Sequence, residues 1–286
     1  MAKKDQPGLE GLRVFPPPAK GFDALTAKKR ELTHHGLPQR PDPRTDPELA
    51  LLWEQRARRY KSFEHLEPKL IPPDVAPPPV IEAFTLSTFV SAGFELTSLS
   101  APITMLSGTW TVPNLTYTPN NGNPIDFRTF FGLGFLDAHV EMTVDSAQNV
   151  STLVRIHTGA QVSLPVRPGD LMSAVLCLQT NAEGTAFYGL VNETTSQTVN
   201  FAFDTHFPPA VICNAGITRG SHFGGRPDPL ARFGAVYFDE LLAWTTNGVK
   251  HLTNGVATSM VDSSGETLAT PQRLNDLAFK VVYTGD

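Results

Sequence analysis

Apolar positions in this chain recur with two different periods, and the change falls near residue 81. Before it, the clearest signal is helical. Thr45-Asp46-Pro47-Glu48 offers an N-cap and a proline suited to the first helical position, and Leu49, Leu52, Trp53 and Arg56 then fall along one stripe. This predicts a helix over Pro47–Lys61 whose apolar stripe needs a surface to cover. A shorter helix is expected within Asp23–His35, capped by Thr26. Residues 68–80, PKLIPPDVAPPPV, read as an extended, semi-rigid linker.

From Glu82 onward, short runs of Val, Thr, Phe and Leu alternate with Gly, Asn, Pro and Ser. Expected strands include 83–90, 127–134, 138–144, 151–158, 210–216, 231–238 and 241–246. The turns Asn120–Asn123, Asn181–Gly184 and Asn247-Gly248 carry residues that tolerate positive φ. Many short strands at regular spacing point to an all-β antiparallel sandwich or barrel. The domain reading is an arm over residues 1–80 and a β-domain over 81–286.

Parity matters most in 138–144. A strand here puts His139, Glu141, Thr143 and Asp145 on one face and Val140, Met142 and Val144 on the other. The apolar set is the natural occupant of a covered face, and the polar set is expected to be solvated. Arg155 and His157 alternate in the same way on the next strand.

Charge follows the same division. Residues 1–80 carry a net +3 and residues 81–286 a net −8, which suits an arm lying on its own domain. An acidic domain argues against nucleic acid, and Arg56-Ala57-Arg58-Arg59 is read as the wet face of the arm helix. No apolar run approaches 18 residues and the opening has no apolar core of a signal peptide, so no membrane span and a cytoplasmic location are expected. Cys177 and Cys213 sit in apolar runs without metal-ligand spacing, and no metal or cofactor is expected. There is no P-loop, GxGxxG unit, HExxH or G-x-S-x-G elbow.

A resemblance enters at Leu106–Pro113, LSGTWTVP, which is similar to a strand near the start of the eqolisins, or glutamic peptidases. It continues in order through Phe130–Leu136, Val166–Cys177, Gly184–Phe203, Cys213–Gly220 and Phe233–Trp244. The resemblance implies an antiparallel, concanavalin-like β-sandwich carrying an N-terminal, partly helical arm. It also implies peptide cleavage at acid pH by a glutamine–glutamate pair. The glutamate serves as base and then acid, and the glutamine holds the water and the oxyanion. The glutamine of an "LQTG" segment falls on Met142 and the glutamate of "A-E-x-I-x-E" on Gly220. A one-residue slip brings Glu141 to the site instead, and the acid of a "WYEW" strand is replaced by Arg155.

Neither a thioether nor a glycine hydrogen accepts a proton from water. The resemblance therefore favours a sandwich that has lost its peptidase chemistry and binds a peptide or small molecule in the former cleft. The expected ligand-binding residues are Met142, Arg155, His157, Arg219 and His222, the last two in the glycine-rich loop that follows Ile217. The alternative is an acid endopeptidase or other hydrolase with a displaced carboxylate such as Glu141. The sequence leaves the oligomeric state open.

Overall fold

The computed structural model describes residues 8–73, 85–179, 185–204, 207–220 and 227–285. The expected boundary near residue 80, the second half of the linker and the Asn181–Gly184 turn lie outside the described residues.

The arm contributes β1 (Leu12–Val14), α1 (Lys29–His34), α2 (Pro47–Tyr60), β2 (Glu64–His65) and β3 (Leu70–Ile71). The sandwich begins with β4 (Ser91–Thr97), β5 (Ile103–Thr111) and β6 (Ile125–Leu133). It continues through β7 (Leu136–Val144), β8 (Val150–Ile156), β9 (Gln161–Val162) and β10 (Leu171–Gln179). Then come β11 (Thr185–Asn192), β12 (Gln197–Asp204), β13 (Ile212–Arg219) and β14 (Ala235–Thr245). The chain closes with β15 (Gly248–His251), β16 (Val256–Thr258), β17 (Met260–Val261), β18 (Thr267–Arg273) and β19 (Phe279–Tyr283).

Among the described residues these strands form two sheets. One has eleven strands along the path β1-β12-β11-β10-β5-β14-β19-β18-β17, with β15 on β14 and β2 on β12. The other has eight, in the order β16-β4-β13-β6-β7-β8-β9-β3. The inner faces meet over Trp110, Phe127, Phe131, Phe201, Phe238 and Phe279, all fully buried. Trp110 Nε1 donates to Thr129 Oγ1 at 2.9 Å, so the one polar handle of the largest core side chain is satisfied across the sandwich.

Four expectations about elements change. Residues 85–90 form no strand, and the first strand after β3 among the described residues begins at Ser91. In place of separate strands over 231–238 and 241–246, one strand, β14, runs over Ala235–Thr245, interrupted by a bulge between Asp239 and Leu242 where Glu240 has φ 52°. Asp46 makes no side-chain cap; Asp42 organises the turn instead, accepting from Arg44 N through its carboxylate and from Thr45 N and Asp46 N through its carbonyl. Likewise α1 starts after Lys28, whose N–H donates to Glu31 at 2.7 Å, and Thr26 only bonds back to Asp23.

Helix α2 packs on the outer face of the eleven-stranded sheet. Ala50, Trp53, Ala57 and Tyr60 are buried, and Val191 of β11 joins their cluster with Leu32 and Leu37. The chain then leaves this face through β2, which pairs with β12, and β3, which pairs with β9 of the other sheet. The arm thus wraps the sandwich from one sheet to the other.

Candidate functional site

The outer face of the eight-stranded sheet carries a cleft of about 420 Å³. Strand parity decides which side chains reach it. On β7, Leu136, Ala138, Val140, Met142 and Val144 point into the core, so Asp137, His139 and Glu141 point out. Residues directly opposite in antiparallel strands share a face. His139 pairs with Phe130 of β6 and Arg155 of β8, and Glu141 pairs with Arg128, which brings all of these into the cleft. Thr218 of β13, opposite Arg128, and Pro73 of the arm complete its rim.

At its centre Glu141 stands between two arginines. Arg155 Nε donates to Glu141 Oε1 at 2.9 Å and Arg128 Nη2 lies 2.9 Å from Oε2. Burial pushes the Glu141 carboxyl up, but the charges of Arg128 and Arg155 and the Arg155 hydrogen bond outweigh it and hold the pKa below the usual carboxylate range. Arg155 Nη1 also donates to Gly159 O at 2.9 Å, which fixes its plane.

Beside this clamp, His139 Nδ1 lies 2.5 Å from Asp137 Oδ2, two residues away on the same face. An ionised carboxylate only accepts, so Nδ1 carries the proton and Nε2 is left as the second functional nitrogen. Nε2 is buried and has no hydrogen-bond partner among the described residues. For Asp137, burial raises the pKa, but the His139 charge and hydrogen bond, with His157 and Arg128 behind them, bring it below its ordinary value.

At the end of the cleft, Tyr188 Oη lies 2.6 Å from His157 Nδ1, and the rings stack at 5.8 Å between centroids. Burial lowers the His157 pKa to about 4 against a smaller upward pull from Asp137. His157 is therefore neutral near pH 7, and a single hydrogen bond joins its Nδ1 to the tyrosine hydroxyl. Burial and the Asp137 charge also raise the Tyr188 pKa.

The expected site residues divide. Arg155 and His157 line the cleft, together with Glu141. Met142 does not: it is fully buried between the sheets and faces away from Arg155. The expectation that Met142 contacts a ligand in the cleft is corrected, because the covered face of this strand is the sandwich interior. Nor is the other face freely solvated, since His139 is 8% exposed.

Arg219 also lies elsewhere, donating to the carbonyls of Phe89, Asp228 and Val261 at 2.8, 3.2 and 3.2 Å. It ties three chain segments together rather than facing a ligand. His222 lies outside the described residues. Gly220 has no room for a side chain, since a Cβ there meets Asp126 Cβ at 2.7 Å and Asp228 Oδ2 at 2.8 Å. Arg128, Asp137 and Phe130 were missed as site residues, although their alternation with the core set is the signal that places them. Among the described residues no cluster of His, Cys, Asp and Glu has the form of a metal site, and Cys177 and Cys213 are free thiols.

Two sheets packed face to face make this a β-sandwich, and solved structures share the fold. A scytalido-glutamic peptidase bound to a peptide-based transition-state analogue matches with a TM-score of 0.53 at 12% identity, covering 70% of this chain and 100% of that one. The eqolisin-family peptidase SCP-B, in complex with the tripeptide Ala-Ile-His, matches with a TM-score of 0.52 at 13% identity, over 70% of this chain and 100% of that one. The profile of the peptidase A4 family matches residues 90–283, and the chain belongs to that family, the eqolisins. No match was found among curated protein sequences.

Proposed function

We propose that this chain binds a peptide or small molecule bearing an acidic group in the cleft around Arg128, His139, Glu141 and Arg155, and does not cleave it by a glutamine–glutamate mechanism. The observation that carries this reading is the Arg128–Glu141–Arg155 clamp. A glutamate that serves first as base and then as acid needs a pKa near the working pH and a free oxygen for water. Glu141 has a lowered pKa, and each of its oxygens is held by a guanidinium. Tight packing at Gly220 and the buried thioether of Met142 support the same reading. Arg128 keeps 44% of its side chain exposed against 17% for Glu141, so an entering ligand meets the cation first.

The test is peptide cleavage by purified protein from pH 2 to 7, alongside binding of a fluorescent acidic peptide and its amidated counterpart. The expected result is binding of the acidic form, weakened about tenfold or more in Arg128→Met, with no turnover. Robust acid cleavage abolished by Glu141→Gln would overturn the proposal.

A second reading, hydrolysis by another base, is favoured by one feature. The Asp137–His139 pair has the orientation of a carboxylate-supported imidazole, with Nε2 unpartnered among the described residues. Turnover near neutral pH that survives Glu141→Gln and is lost in His139→Gln would select this reading.

A further inference from the structure

On the opposite side of the molecule, α2 roofs a second cavity of about 150 Å³ against the eleven-stranded sheet. Its walls are almost wholly apolar, with Leu52 and Trp53 above and Met105 and Val175 below. Into this space α2 places Arg56, with Ser107 of β5 on the floor. We propose that this cavity is a binding site for a small apolar carboxylate, with the carboxylate held by Arg56 and Ser107 and the apolar body lying between Trp53 and Val175.

The polar end of the cavity is built but incomplete. Arg56 Nη2 donates to Ser107 Oγ at 3.1 Å, while Arg56 Nε is shut off from solvent without a partner among the described residues. Ser107 is fully buried, and a hydroxyl that accepts from arginine keeps its own proton to donate. The two carboxylates nearest Arg56 in charge, Glu193 and Glu240, lie 3.5 and 3.4 Å from Arg59 instead. A guanidinium stays ionised, and a desolvated cation whose only side-chain acceptor among the described residues is a neutral hydroxyl is costly unless an anion completes it.

Size and lining fix the rest of the ligand. An apolar cavity of about 150 Å³ holds one benzene-sized group. A planar carboxylate on such a ring matches both the arginine fork and the walls. Nothing here draws on the cleft of the eight-stranded sheet, so the two sites stand or fall separately.

The experiment uses the full chain with benzoate as probe and benzamide as the neutral control of the same shape. Calorimetric titration at pH 7 is expected to show benzoate binding at least about tenfold tighter than benzamide. Arg56→Met, which keeps an unbranched apolar stem and removes the guanidinium, is expected to lose about tenfold or more. Val175→Phe, which fills the cavity, is expected to do the same. Should Arg56→Met fail to fold, Ser107→Ala serves in its place, with a loss of about threefold to tenfold. No benzoate binding by folded protein, equal binding of benzamide, or binding indifferent to these variants would overturn the proposal.

Discussion

Arg155 Nε reaches Glu141 Oε1 at 2.9 Å from the neighbouring strand, offset by two residues from the position directly opposite. That diagonal is within reach of a long side chain. It places a guanidinium on one oxygen of the carboxylate while Arg128 takes the other. The clamp makes Glu141 a fixed anion in a half-buried site, and its behaviour with pH follows from that.

The first expected outcome is acid lability of the cleft. The folded-state pKa values of Glu141 and Asp137 lie below their ordinary values, so both contribute stability above the unfolded carboxylate pKa. That stability is lost as pH falls through the folded values. The melting temperature of the wild type should fall steeply below about pH 4, and Glu141→Gln should flatten the fall. At pH 7 the substitution should cost about 1–3 kcal/mol, because two cations lose the negative charge between them. Thermal melts across pH 2–7 for the two proteins check this.

His157 titrates with the same overall sense for a different reason. Its pKa is lowered to about 4 by burial, so between the unfolded value of about 6.5 and pH 4 the unfolded chain takes up a proton that the folded chain refuses. Stability should decline over that window by up to ~3 kcal/mol and stop declining below pH 4 on this account. Tyr188→Phe removes the hydroxyl bonded to Nδ1 and should cost about 1 kcal/mol at pH 7. Histidine titration by NMR and urea melts of both proteins measure these effects.

Restoring the family side chains at the two positions matched by sequence should fail. Met142→Gln buries an amide among Val140, Val144 and Phe127, at a cost of about 2–4 kcal/mol. Gly220→Glu drives a Cβ against Asp126 and Asp228 and adds a carboxylate beside two others, costing about 1–3 kcal/mol. The double variant should be less stable than the wild type and should show no gain in cleavage of a peptide library at pH 2–5.

Removing the arm through residue 70 should lower stability. It exposes the sheet face under Trp53 and Tyr60, takes β1 and β2 from β12 and leaves β9 without β3. A drop of several degrees in melting temperature is expected, along with lower solubility from the uncovered apolar face. An unchanged melting point would mean that the arm's contacts contribute nothing net.

Much of this fold was legible in the sequence because each strand of the sandwich writes its own alternation. Leu136–Val144 is the clearest case: every second residue is apolar and every one of those is buried. The helix at Pro47 was legible for the same local reason, and the order of segments such as LSGTWTVP carried the family. The short strands β2, β3 and β9 were not, since two residues carry no period and their pairing is set by distant partners.

What only the tertiary structure decided was which covered face is which. The pattern shows that Met142 and Glu141 point in opposite directions; it does not say that a second sheet covers the methionine and that the cleft belongs to the glutamate. That depends on how two sheets stack and on what β6 and β8 bring alongside β7. Arg128 and Arg155 stand 27 residues apart in the chain, and only the register of three strands puts both on one carboxylate. In the same way Arg56 was the wet edge of a helix until the eleven-stranded sheet closed over it.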